Sequence, residues 1–242
     1  MTKVAIVTGG SKGIGLAIVK GLISQGYQVY NLDIVSGDTQ PFIRCDITNS
    51  AEVTAAVKQV ILEAGRIDTL ICNAGIHYSA NIENTTEDEL DRVMAINVKG
   101  AYSVIRACLP TMKSQQDGSI VLIGSDQCHI AKPNSFAYNL SKHALASMGK
   151  TTAIDYADFN IRANVVCAGT TETPLYHQAI DNYCARSGAN KEEVHKEEAA
   201  LQPLGRIAQP EEVADLVIFL AGDKARFITG SLYNIDGGYT TR

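Results

Sequence analysis

Tyr138 and Lys142 stand four residues apart, and Ser125 lies thirteen residues before the tyrosine. On a helix, a four-residue spacing puts two side chains on one face, one turn apart. An ammonium there stabilises a phenolate by opposite charge, so the phenol can give or take a proton at an alcohol or carbonyl oxygen. A serine hydroxyl closing an apolar run, as Ser125 does, can orient and polarise the same oxygen. Taken alone, the Tyr–Lys pair is equally a solvated helix face. It gains weight from Thr8-Gly9-Gly10-Ser11-Lys12-Gly13-Ile14-Gly15, a glycine-rich turn directly after the apolar run Val4–Thr8. Such a turn lets the backbone approach a pyrophosphate, and the helix it opens points free N–H groups and positive dipole at the anion.

Together these pieces resemble the short-chain dehydrogenase/reductase family, over residues 3–239. The spacing Gly9-x-x-x-Gly13-x-Gly15 is similar to that family's version of the turn, although the turn alone would also suit a methyltransferase. The resemblance implies hydride transfer between a nicotinamide dinucleotide and a secondary alcohol or ketone. Tyr138 would be the acid/base, Lys142 its electrostatic partner and a ligand of the nicotinamide ribose, and Ser125 the group orienting substrate. Asn97 matches the asparagine that holds a water linking the lysine to solvent. Gly9, Ser11, Gly13, Ile14 and Gly15 would line the pyrophosphate, Asp46 and Ile47 the adenine, and Thr171 and Thr173 the nicotinamide amide. Asn73-Ala74-Gly75 resembles the family's Asn-Asn-Ala-Gly, with Cys72 replacing the first asparagine, and Asn73 has a structural reading as good as direct cofactor contact. Ala168-Gly169 stands where the family usually has Pro-Gly. A homotetramer, paired through the long helices, is likewise implied only by the resemblance.

Asp33 ends the second apolar run, eighteen residues after Gly15. A carboxylate there accepts hydrogen bonds from the adenosine ribose, which favours NAD. Lys12 is the competing signal, a base that could meet the 2′-phosphate of NADP. Like-charge repulsion of roughly 1–4 kcal/mol beside Asp33 makes NAD the expected cofactor.

The rest of the chain must position these groups. Apolar runs alternate with helical patterns from end to end, which predicts βαβ units in one doubly wound α/β domain with a parallel sheet of about seven strands. Helices are expected over residues 14–25, 51–64 (Ser50 as cap), 87–112 (Thr86 as cap) and 136–157, with another starting at Pro210. Residues 170–204 break the rhythm: charged and weakly periodic, they read either as a lid over substrate or as a pair of surface helices. Asp126 and Gln127 follow Ser125 where small residues are common in the family. They read as ligands for a polyhydroxylated substrate, Gln127 above all, or as turn residues. Gly124-Ser125-Asp126-Gln127-Cys128 lacks the Gly-x-Ser-x-Gly of a serine hydrolase.

Composition narrows the classes further. The net charge of −5 argues against nucleic acid, whose binding rests on a basic patch. The five histidines and six cysteines show no metal-ligand spacing, and thiols without Cys-x-x-Cys read as reduced residues of a cytoplasmic protein. No apolar stretch approaches the ~18 residues of a membrane span, and the run after Lys3 is too short for a signal peptide. A sugar, polyol or hydroxy acid is the expected substrate. The rival readings are an NADP-linked reductase of 3-oxoacyl or similar carbonyls, and a non-catalytic dinucleotide-binding regulator.

Overall fold

The computed structural model describes residues 2–37 and 41–241. Among them, seven strands form one parallel sheet: β1 (Val4–Thr8), β2 (Gln28–Asp33), β3 (Phe42–Arg44), β4 (Thr69–Cys72), β5 (Gly118–Ile123), β6 (Ile161–Ala168) and β7 (Leu232–Ile235). Their spatial order is β3-β2-β1-β4-β5-β6-β7. Winding therefore reverses between β1 and β4, and a crevice opens at the carboxyl ends of those strands.

Strand alternation divides the core. In β1, Val4 and Ile6 face one side of the sheet while Ala5 and Val7 face the other. The first side is covered by α2 (Ser50–Ala64), α4 (Ala101–Gln115) and α5 (Phe136–Asp155), the second by α1 (Gly13–Ser24) and α8 (Pro210–Ala221). Both faces being buried explains why the strands read as continuous apolar runs. Ile18 and Leu22 of α1 are fully buried, each contributing roughly 1.5–3 kcal/mol.

Local signals explain most helix starts. Thr86 Oγ1 accepts from Glu89 N at 3.2 Å and opens α3 (Glu87–Met94) as expected. For α2 the cap is Asn49, not Ser50, with Oδ1 accepting from Ala51 N at 3.0 Å. The single helix expected over 87–112 is three pieces: α3, a π-helical widening over Ala95–Gly100, and α4. Residues 170–204 contain α6 (Pro174–Ser187), capped by Thr173, and α7 (Lys191–Leu201), capped by Asn190. The segment is thus a pair of mostly exposed helices. Among the described residues no helix is long and apolar enough to cross a membrane.

Candidate active site

The glycine turn is held by side chains from β2 and from the residue that follows β4. Gly9 has φ +66°, and its N–H donates to Leu32 O at 2.9 Å. A Cβ on Gly15 would lie 2.1 Å from Gly9 O, so the helix can start this close to β1 only without a side chain there. Asn73 Nδ2 donates to Thr8 O at 3.0 Å and Gly9 O at 2.8 Å, which gives it the structural role of locking the turn onto β4. Asn31, buried in β2, accepts from Gly10 N at 2.9 Å and donates to Ser11 Oγ at 3.0 Å. The sequence reading missed Asn31; the available signal was an amide inside an apolar strand. α1 opens at Lys12 with no side-chain cap and no acidic residue in its first turn. Its first N–H groups are free to meet an anion.

Asp33 lies beside this turn, its Oδ2 accepting from Ser11 N at 3.1 Å and its Oδ1 from Val35 N at 3.3 Å. Lys12 is exposed. Asp46 Oδ1 accepts from Thr48 N at 2.9 Å, while Ile47 is buried in the core against the Gly100 backbone.

The catalytic candidates meet at the end of β5. Ser125, Tyr138 and Lys142 line one cleft of about 1060 Å³, which also runs past Ile14, Asn73, Gly75, Thr171 and Thr173. Lys142 Nζ donates to Ile123 O at 2.9 Å and lies 5.3 Å from the centre of the Tyr138 ring. Burial pushes the Lys142 ammonium down to about 8. Burial, then the charge of Asp126, raises the Tyr138 phenol above its ordinary value, with the Ser125 hydroxyl lowering it in part. The depressed phenol expected from the Tyr–Lys spacing is thus not the state of the cofactor-free site: its groups are desolvated, and a carboxylate lies nearby. His77, absent from the sequence reading because no pattern marks it, packs edge-on against Tyr138 with centroids 4.7 Å apart. Burial, first, and the cations around it hold His77 at about 4.

Asn97 lies in the π-helical stretch and is 1% exposed. Its Oδ1 accepts from Ile76 N at 2.8 Å, and its Nδ2 donates to Ile76 O and Ser141 Oγ at 3.0 Å each. The amide therefore ties the loop after β4 to α5, where the tyrosine and lysine sit. Gln127 is also buried, its Oε1 accepting from Ser135 Oγ at 2.7 Å. Asp126 is a turn residue rather than a free substrate ligand, engaged by Ser125 and by Lys132.

Thr171 pairs with Ala208 in an isolated parallel bridge and donates from Oγ1 to Gly169 O at 3.0 Å. Thr173 Oγ1 accepts from Tyr176 N at 3.1 Å, and its methyl lies 3.2 Å from where a Cβ on Gly13 would be. The start of α6 thus hangs over the glycine turn. Further along, Arg186 Nη1 donates to Ser79 O at 3.0 Å across the cleft mouth, and Tyr176 Oη meets His195 Nδ1 at 2.7 Å between α6 and α7.

A dinucleotide fits these features: an uncapped helix start behind a glycine turn, a strand-end carboxylate, and a cleft continuing to a tyrosine, lysine and serine. The sequence model of the family described as Enoyl-(Acyl carrier protein) reductase matches residues 9–240. The chain is 36% identical to 2-(R)-hydroxypropyl-CoM dehydrogenase of Xanthobacter autotrophicus, covering 99% of both chains. Among solved structures, the ligand-free aldohexose dehydrogenase of Thermoplasma acidophilum superposes with a TM-score of 0.94 at 37% identity, covering 100% of this chain and 95% of that one. A short chain dehydrogenase family protein from Francisella tularensis superposes at 0.93 with 40% identity over 100% of both chains. The chain belongs to the short-chain dehydrogenase/reductase family and is an oxidoreductase acting on CH–OH groups with a nicotinamide dinucleotide.

Proposed function

We propose that this enzyme interconverts a small polar secondary alcohol and its ketone with NAD, and that Ser125, Tyr138 and Lys142 carry the proton side of the reaction. The observation behind this reading is the single cleft that joins those three residues to the glycine turn. The nicotinamide, when bound, supplies the hydride acceptor or donor. Tyr138 then takes or gives the proton at the substrate oxygen, and Ser125 hydrogen-bonds that oxygen. Lys142 spends one N–H on Ile123 O, leaving two donors for the ribose hydroxyls and a positive charge near the phenol. That charge and the cationic ring of NAD+ counter the burial that raises Tyr138. The Asn97 amide is committed to protein partners, so the water linking Lys142 to solvent is assigned to the widened backbone turn around Asn97.

On the cofactor side, Gly9, Ser11, Gly13, Ile14 and Gly15 hold the pyrophosphate and Asp33 the adenosine ribose. Asp46 meets the adenine with Ile47 supporting it from the core. Gly75 lines the cofactor channel, and Thr171 and Thr173 face the nicotinamide amide. A sugar, polyol or hydroxy acid is the substrate class, supported by polar groups along the cleft that include Gln127, Arg186 and Glu198, and by the similarity to an aldohexose dehydrogenase. Helices α6 and α7 act as its lid. Assembly as a homotetramer is supported by Tyr102 on α4 and by Leu140 and Ile154 on α5, apolar side chains left exposed on the long helices. A panel of sugars, polyols, hydroxy acids and simple secondary alcohols, followed by NADH absorbance, tests the reading. Turnover confined to 3-oxoacyl thioesters with NADPH, or no turnover at all, would overturn it.

A further inference from the structure

Arg186 stands near the end of α6 and lines the cleft, where its Nη1 reaches across the mouth to donate to Ser79 O at 3.0 Å. Its Nε donates to Asn182 O at 3.2 Å, so two backbone carbonyls fix the direction of the guanidinium. A guanidinium carries five N–H donors and stays charged throughout the physiological range. Arg44, Arg66, Arg92, Arg206 and Arg226 each pair with a carboxylate. Arg186 pairs with none among the described residues, although it faces a cleft that contains three. Of these, Asp126 pairs with Lys132, Glu198 accepts from Thr170 Oγ1 at 3.2 Å, and Glu197 lies exposed on α7.

We propose that Arg186 sets substrate specificity by binding a carboxylate: the substrate is a hydroxy acid whose secondary alcohol lies at Tyr138 and whose far end takes the free N–H groups of Arg186. This rests on the proposed function, in which the alcohol lies at Tyr138, and selects the hydroxy acid among the substrates named there. The two ends are a short ligand's length apart. His77 packs against Tyr138 with ring centroids 4.7 Å apart, and Ser79, which Arg186 grips, is two residues further on, at most ~7 Å of extended chain. The fields of Lys132, Lys142 and Arg186 all reach His77 and add to its burial in keeping it neutral, so the imidazole between the two ends brings no charge of its own. A fixed fork of N–H groups suits a carboxylate, whose two oxygens can take two donors side by side. A sugar or polyol has no charge with which to use that cation.

The test is a ruler of hydroxy acids, 3-hydroxybutanoate, 4-hydroxypentanoate and 5-hydroxyhexanoate, each beside its methyl ester, which keeps the shape and removes the charge. At one chain length or more, kcat/KM for the acid should exceed that for the ester by ~10-fold or more, the low end for a hydrogen-bonded charge. In Arg186→Gln that ratio should fall close to one, and Arg186→Lys should restore part of it, since an ammonium keeps the charge without the fork. Acids no better than esters at every length would overturn the proposal. So would a ratio that survives Arg186→Gln while both rates drop, which would mean that Arg186 only latches α6 to Ser79. Calorimetry separates the proposal from the reading beneath it: the corresponding methyl-ketone acids and their esters are titrated into enzyme saturated with oxidised coenzyme, which needs no turnover. A preference for the keto acid that is lost in Arg186→Gln would support the carboxylate site even if no alcohol were oxidised. Turnover of sugars or polyols with no preference for either kind of acid would leave the reading standing and overturn the site.

Discussion

Replacing Asp33 by asparagine removes one charge but keeps an oxygen where the backbone needs one. In the structure the carboxylate accepts from Ser11 N at 3.1 Å and Val35 N at 3.3 Å, and an asparagine can keep the first of these. A 2′-phosphate about 4 Å from the carboxylate is repelled by roughly 1 kcal/mol in water and about 4 kcal/mol at the dielectric of a protein surface. Asp33 is half-buried at the strand end, which places the effect near 1–2 kcal/mol, or roughly 5–30-fold. Loss of the charge also weakens the bond to the adenosine ribose, because hydrogen bonds to charged groups are worth about 1.5–3 kcal/mol against about 1 for neutral ones. The assay is kcat/KM for NAD and NADP with one alcohol. The wild type should prefer NAD, and Asp33→Asn should shrink that preference by ~10-fold or more, through a gain with NADP and a loss with NAD. A wild type that prefers NADP, with a ratio unmoved by the substitution, would mean that Asp33 only braces the turn and that Lys12 sets cofactor choice.

Gly15→Ala should cost about 3 kcal/mol, the top of the overpacking range, since the new methyl meets backbone that cannot move aside. For a chain of this size that lowers Tm by roughly 6–12 °C; an unchanged melting curve would show that the turn has room. His77 is held at about 4 in the folded protein and titrates near 6.5 when unfolded, so the unfolded chain binds more protons between those values. Its contribution to stability is complete above pH 6.5 and falls away toward pH 4; His77→Gln should therefore flatten Tm against pH over that window, and parallel curves for both proteins would refute it. In hydrogen exchange, amides of α6 and α7 should open readily in the free enzyme and slow when cofactor and substrate are both bound, whereas equal protection in the two states would make the pair a fixed wall.

The sheet was legible because buried parallel strands leave uninterrupted apolar runs: Val4–Thr8 was read at its observed limits, and Asp33 at the end of the second strand. Glycine spacing and the Tyr138–Lys142 pair were legible for a similar reason, since both are local patterns on a strand end and one helix. Other features depended on contacts that the sequence does not display. The π-helical stretch at Ala95–Gly100 keeps ordinary helix-forming residues, and nothing in their order announces the wider turn that buries Asn97. Residues 170–204 looked aperiodic because α6 and α7 are thin, mostly exposed helices, with Ile180 and Val194 as their buried residues. Asp126 stayed open between substrate ligand and turn residue because its partner Lys132 follows six residues later in a loop without pattern. His77 and Asn31 escaped because each acts through one long-range contact, with Tyr138 and with the glycine turn.

The claim on which the rest depends is that the Tyr138 hydroxyl moves the proton. Tyr138→Phe keeps the ring that packs against His77 and deletes only the group that titrates. With NAD affinity measured beside turnover, the account predicts that kcat for alcohol oxidation falls by at least ~100-fold while the dissociation constant for NAD barely changes. Near-normal turnover in the variant would contradict it.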